Sequence, residues 1–422
     1  MRILFSLLAL VAASCATAPP ALDPIAEAYV RMSLEINTHE EGYVDSYIGP
    51  PEWKTQAESA PRSVADLKLE ADRLTQELEA VNVSGLEPIV RRRVSYLLGN
   101  VKSARFRLDM IEGARVPFAD EAERLFAIRP ELRRLESFEP ALARIEAIVP
   151  GDGPLATRVE AFRTRYEVPA DRVRTVIDAA IAECRRRTAL HITLPPGERF
   201  TMELVQNQSW SGYNWYQGNN QSLIQINTDL PTRIDRALGV ACHEGYPGHH
   251  VQGMAAEKLY RERGWVEFSV QPLFGPMGPL NEGGANFGVD LAFPGPERAQ
   301  FEQNTLYPLA GLDPATAPAY EQLTQAIKDL GGAQLTIASM YLGGEIDRAR
   351  ASELIQRYQL SSPERASQSL DFVDHYRSYI INYSTGEDLV RAYVRAAGDA
   401  DAQWAAYERI FSEPTLAPDL VR

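Results

Sequence analysis

The chain has 422 residues, 45% of them hydrophobic, enough to bury one large core or two ordinary ones. Its 57 acidic residues outweigh 43 basic ones and give a net charge of −14, which repels phosphate backbones and argues against a nucleic-acid partner. Beyond the first 14 residues no apolar run is long enough to span a bilayer.

Met1-Arg2 leads into an apolar run from Ile3 to Ala13, too short for a comfortable span and the right size for the core of an export signal. We therefore expect a signal peptide over 1–14. Small residues before Cys15 resemble a bacterial lipoprotein processing box, which makes Cys15 a lipidated first residue, 15–22 a Pro-rich tether, and the anchor the only membrane contact. Cleavage after a triplet such as Ala16-Thr17-Ala18 is the alternative. Either route exports the protein to the bacterial envelope, facing the periplasm. Cys184 and Cys242 are the remaining cysteines; they permit a single disulfide, Cys242 beside His243 permits a zinc ligand, and burial as small hydrophobes is the default reading.

From Asp23 the pattern turns helical, with Ile25, Tyr29, Met32 and Leu34 to Ile36 near one stripe until Gly49-Pro50-Pro51 breaks it. His39 has no sequence partner and reads as a surface or interhelical residue. Ser63 to Val81 opens on a capping-box-like start and carries Leu67, Leu74 and Leu78 at helical spacing. Further helices are expected over Glu87–Glu112, Ala119–Phe126, Pro140–Val149 and Pro169–Leu190. The Arg91–Arg93 and Arg185–Arg187 runs read as solvated helix faces. Residues 23–190 thus form an α-helical N-terminal region without a catalytic cluster.

The texture changes at Leu194-Pro195-Pro196-Gly197. Arg199–Val205, Gly212–Gln217 and Ser222–Asn227 are short, aromatic and β-branched, and the last two read as a hairpin across Gly218-Asn219-Asn220-Gln221. Ser209, Trp210, Tyr213, Trp215 and Tyr216 could line a groove or belong to the core. Asp229-Leu230-Pro231-Thr232 then launches a helix in which Ile234, Leu238 and Cys242 recur every four residues, and which delivers His243 and Glu244.

Only six histidines occur in the chain, and three fall in His243-Glu244-Gly245-Tyr246-Pro247-Gly248-His249-His250. Zinc hydrolases of the H-E-x-x-H type place two imidazoles four apart on one helix face, with the glutamate taking a proton from water. Here Pro247 stands where the second histidine would be. On an unbroken helix His249 would be rotated by about 240° from His243, and His250 would lie ~10 Å along the axis. The helix must therefore break at Tyr246-Pro247-Gly248, swinging His249 back toward His243 and leaving His250 as an alternative or supporting ligand.

The run H-E-x-x-P-G-H-H closely resembles the signature of bacterial proteins grouped as domain-of-unknown-function family 885, itself similar to the gluzincin metallopeptidases. Asn281-Glu282-Gly283-Gly284-Ala285 resembles that family's downstream E-G-W-A, with Gly284 in place of Trp, and the N-E-x-x of thermolysin-like enzymes. The resemblance implies Glu282 as third zinc ligand; its position at a helix start after Pro276–Pro279 agrees. Asp290 could orient a ligand histidine or be a solvated charge. Glu321–Met340, weakened at Gly331-Gly332, Arg348–Tyr358 and Ser362–Val373 read as helices. Tyr383-Ser384-Thr385-Gly386 resembles the family's Y-x-x-G, and Tyr383, then His375, are the candidates for stabilising an oxyanion.

The expectation is a mainly α protein, a helical scaffold with a small antiparallel sheet beside the active-site helix and a gluzincin-like α+β catalytic part over 191–422. Its function would be Zn2+-dependent hydrolysis of a peptide or peptide-like substrate, with His243, His249 and Glu282 on the metal and Glu244 as base. The alternatives are another metal-dependent amide hydrolase acting on cell-wall or small-molecule substrates, and a non-catalytic envelope lipoprotein with a degenerate site.

Overall fold

A computed structural model describes residues 22–208 and 210–421; the signal peptide, Cys15, the tether up to residue 21 and Ser209 lie outside the described residues. The fold is mainly α. Its first core is built by α1 (Leu22–His39), α2 (Pro51–Ser59), α3 (Val64–Glu79), α4 (Pro88–Ile111) and α5 (Phe118–Phe126). The stripe logic holds in α3, where Leu67, Ala71, Leu74 and Leu78 are buried and Ser63 Oγ accepts from the Asp66 amide at 3.1 Å. A second core joins α6 (Glu139–Ile148) and α7 (Leu155–Thr164) to the later α14 (Ala317–Lys328), α15 (Ala333–Leu342), α16 (Arg348–Tyr358) and α17 (Pro363–Tyr376). The interruption at Gly331-Gly332 separates α14 from α15.

The third and largest core carries the site. It contains α8 (Val173–Thr188), three strands β2 (Arg199–Val205), β3 (Gly212–Gly218) and β4 (Gln221–Asn227), then α9 (Ile234–Glu244), α10 (His249–Arg263) and α11 (Gly278–Ala292). The short α12 (Glu297–Phe301) and α13 (Tyr307–Ala310) follow, with α18 (Ile381–Arg395), α19 (Ala400–Ser412) and α20 (Ala417–Leu420) closing it. α8 shares this core with α9.

The sheet corrects one expectation. Its order is β2-β4-β3, with β3 and β4 an antiparallel hairpin but β2 parallel to β4, so the sheet is mixed rather than antiparallel. β4 lies between β2 and β3 and runs antiparallel to β3, which leaves it parallel to β2. A second, two-stranded sheet pairs β1 (Val44–Tyr47) antiparallel with β5 (Val270–Pro272), too short to stand out in the sequence.

Neither burial as free thiols nor metal ligation describes Cys184 and Cys242, which form a disulfide joining α8 to the last turn of α9. The bond fixes the residue before His243. It closes a loop across a separation of 58 residues, for which chain entropy gives about 4 kcal/mol. Replacing both cysteines by alanine should lower unfolding free energy by ~2–4 kcal/mol, read from the denaturant midpoint; a change below ~0.5 kcal/mol would contradict that role.

Candidate metal centre

α9 ends at Glu244 and α10 begins at His249, so the helix does break where Pro247 requires it. The Gly248 amide donates to Cys242 O at 3.1 Å, and a Cβ at Gly248 would lie 1.7 Å from His243 O, so only glycine allows the chain to fold back this closely. The Tyr246-Pro247 peptide in this turn is cis. The turn brings the His249 ring to 4.6 Å from the His243 ring, nearly perpendicular to it. His250 goes elsewhere: it is fully buried, with Ser222 Oγ at 2.7 Å from Nδ1 and Glu198 Oε2 at 3.2 Å from Nε2.

Glu282 arrives from α11. Its Oε2 lies 3.2 Å from His243 Nε2 and 3.6 Å from His249 Nε2. The position depends on α11 meeting α18 almost backbone to backbone, since a Cβ on Gly283 would sit 2.1 Å from Gly386 C. Tyr379 Oη donates to Glu282 Oε1 at 2.6 Å, while the buried Oε2 has no hydrogen-bond partner of acceptable geometry. Gly284, where the resembling motif has Trp, has no such space, because Phe411 Cζ would be 2.5 Å from its Cβ.

Two amides fix the imidazoles. Asn286 Nδ2 donates to Tyr383 O at 3.0 Å, which turns its Oδ1 to His243 Nδ1 at 2.9 Å. Gln252 Nε2 donates to Asn281 O at 3.0 Å, which turns its Oε1 to His249 Nδ1 at 2.9 Å. Each ring therefore donates from Nδ1, and in its neutral form each presents a bare Nε2 lone pair toward the Glu282 carboxylate. Three donors facing one another need a cation between them. Two imidazole nitrogens and a carboxylate oxygen are the donor set of a catalytic zinc with an open position, and these residues fit it.

The ionisation pattern agrees. Burial alone would discharge His249, yet the carboxylates of Glu282 and Glu244 outweigh it and raise the ring to about 10. Burial likewise opposes ionisation of Glu282, but His249 and His243 hold it well below the ordinary carboxylate range. Without a metal, a proton on His249 supplies the missing positive charge.

Glu244 is 6% exposed, and its ligand-type atoms lie within 4.8 Å of those of His243 and His249. Proximity alone would let it replace Glu282 as ligand. The unsatisfied Oε2 facing both Nε2 atoms favours Glu282 on the metal and leaves Glu244 beside it. Burial raises the Glu244 carboxyl, and Gly212 on the edge strand β3 makes room for it, since a Cβ there would be 2.7 Å from Oε1.

These groups line an open cleft of about 930 Å³ together with Trp210, Tyr213, Tyr216 and Tyr383. Trp215 is outside it and 47% exposed. Burial, with Glu282 and Glu244 nearby, raises the Tyr383 hydroxyl well above its usual value. His375 is exposed, packs against Tyr376 and does not line the cleft, because it follows the solvent face of α17. Asp290 pairs with Arg391 at 2.7 Å instead of orienting a histidine. Sequence reasoning missed Asn286, Gln252, Tyr379 and Asp45. The first two stand one helical turn from Glu282 and His249, which was the available signal; Asp45, raised to about 6 by burial against the opposing pull of His249, sits on β1 and gave none.

No protein-family profile matches the chain, and no curated protein matches it. Among solved structures it is similar to a "putative lipoprotein" from Colwellia psychrerythraea, with TM-score 0.51 and 12% identity, covering 81% of this chain. The chain spans 66% of that protein, and the likeness is one of fold. Looser matches are a "putative lipoprotein of unknown function" from Shewanella oneidensis (TM-score 0.45, 13% identity, 94% of this chain, 77% of that one) and an M32 carboxypeptidase from Deinococcus radiodurans R1 (0.36, 14%, 92% and 88%). Neither is close enough to carry an argument.

Because His249 is raised to about 10, metal must displace its proton at neutral pH. Below that value each unit of pH removes one competing proton tenfold, so apparent zinc affinity, measured by chelator competition, should rise about tenfold per unit from pH 6 to 8. An affinity flat over that range would contradict the assignment.

Proposed function

We propose that this protein is a zinc-dependent peptide hydrolase of the bacterial envelope, carried to its compartment by an export signal and tethered through Cys15. The observation that carries the reading is the pair of tautomer-fixed Nε2 atoms of His243 and His249 facing an otherwise unpartnered Glu282 oxygen. The motif's resemblance to family 885 and the gluzincins adds to it. The Cys184–Cys242 disulfide supports export, since such bonds persist in oxidising compartments. Among the described residues no helix is long and apolar enough to cross a membrane.

His243, His249 and Glu282 would hold the zinc, which when bound would polarise the scissile carbonyl and acidify the attacking water. Glu244 accepts that water's proton and delivers it to the leaving amine; its burial raises its basicity toward that task. Tyr383 donates to the developing oxyanion, and Tyr379, through its hydrogen bond to Oε1, positions Glu282. An extended peptide can lie along the edge strand β3, whose Gly212 abuts Glu244, and pair with its backbone.

Metal analysis and turnover of a peptide library by wild type and Glu244→Gln test the proposal together. About one zinc per chain is expected in both, with turnover reduced ~10²–10⁴-fold in the mutant. Protein without a transition metal, or a fully active mutant, would overturn it.

A further inference from the structure

Beside the N-terminal half of α9, next to the metal cleft, lies a cavity of about 220 Å³. Ser211, Arg236, Val240 and Arg365 line both spaces, so the cavity adjoins the cleft. Among the described residues its wall carries four arginines, Arg163, Arg233, Arg236 and Arg365, and no carboxylate. That concentration stands out in a chain of net charge −14.

Acids outside this wall form ion pairs with three of the four. Glu160 Oε1 accepts from Arg233 at 2.6 Å and lies 3.8 Å from Arg365, while Asp235 lies 3.8 Å from Arg163. Two carboxylates thus serve three guanidiniums. Arg236 is left over: its hydrogen bond goes to Ser211 Oγ at 2.9 Å, and no carboxylate of the described residues lies within 4.0 Å. Arg233 is 4% exposed, yet its buried Nε has no acceptor. Arg236 is exposed, and the carboxylates of Asp235 and Glu244 act on it as well as Arg163, just as Glu160 and Glu167 act on Arg365 beside Arg233. A cavity walled by four guanidiniums, with Arg236 exposed and held by no ion pair, offers several N–H donors to a planar anion.

Arg236 stands seven residues before His243, on the same face of α9 and about 10 Å along its axis. An extended chain covers that distance in roughly three residues. We propose that this arginine pocket binds a carboxylate of the substrate, so that the hydrolase selects peptides carrying an acidic group about three residues from the scissile bond. The inference rests on the hydrolase reading above and names its substrate class. The carboxylate can come from the peptide's own C-terminus or from an acidic side chain.

Three acetylated peptides of one cleavable sequence separate these sources: a free acid, its C-terminal amide, and an amide ending in glutamate. One or both carboxylate-bearing peptides should have KM at least ~10-fold below the neutral amide. Arg236→Gln should bring the ratio near one, with Arg236→Lys retaining part of it. Equal KM for all three, or a preference unchanged in Arg236→Gln, would overturn the pocket. Calorimetric titration of the same peptides into Glu244→Gln protein reads binding without turnover. A carboxylate preference there, with no hydrolysis by wild type, would remove the hydrolase reading and keep the pocket; hydrolysis without any preference would remove the pocket alone.

Discussion

The backbone of Gly248 lying against the carbonyl of His243 is the contact on which the whole site depends. Histidines six apart cannot share a ligand on a regular helix. Here α9 stops, the chain turns on Gly245 to Gly248, and α10 starts with His249 already beside its partner. The turn is held from outside: Tyr407 Oη lies 3.0 Å from Pro247 O and 3.1 Å from Gly284 O, tying the insertion to the helix that carries Glu282. His250, bonded to Ser222 and Glu198, anchors the other side of α10 to the sheet. A rigid turn with fixed neighbours on both sides is what a site assembled from three helices requires.

Electrostatics follow from that geometry. Three acids, Asp45, Glu244 and Glu282, meet two imidazoles in one cleft. Burial raises Asp45 and Glu244, while Glu282 is held ionised by the histidines beside it. Environments that push neighbouring carboxyls in opposite directions separate a ligand from a base. Next to this acidic centre lies a smaller cavity whose wall carries Arg163, Arg233, Arg236 and Arg365.

Much of this was legible in the residues. The hairpin fell within one residue of its expected ends, because Gly218, Asn219 and Asn220 take the positive φ values that such a turn demands. The stripe Ile234, Leu238, Cys242 identified α9, and Pro247 with Gly248 announced the break. What the chain did not disclose depends on distant partners. The parallel pairing of β2 is decided by β4 lying between it and β3, and the disulfide by how α8 packs on α9. Tyr379 and Tyr383 lie four apart, and that Tyr379 reaches Glu282 depends on how the elements around Gly283 and Gly386 meet, which no local pattern reveals.

The central claim is that one ion is shared by His243, His249 and Glu282 across the turn. X-ray absorption at the zinc edge of the metal-loaded protein tests it most directly. The account predicts two imidazole nitrogens at ~2.0–2.1 Å with oxygen ligands completing the shell in wild type, and one imidazole in His249→Ala. Two imidazoles persisting in His249→Ala, or a wild-type shell without paired imidazoles, would contradict it.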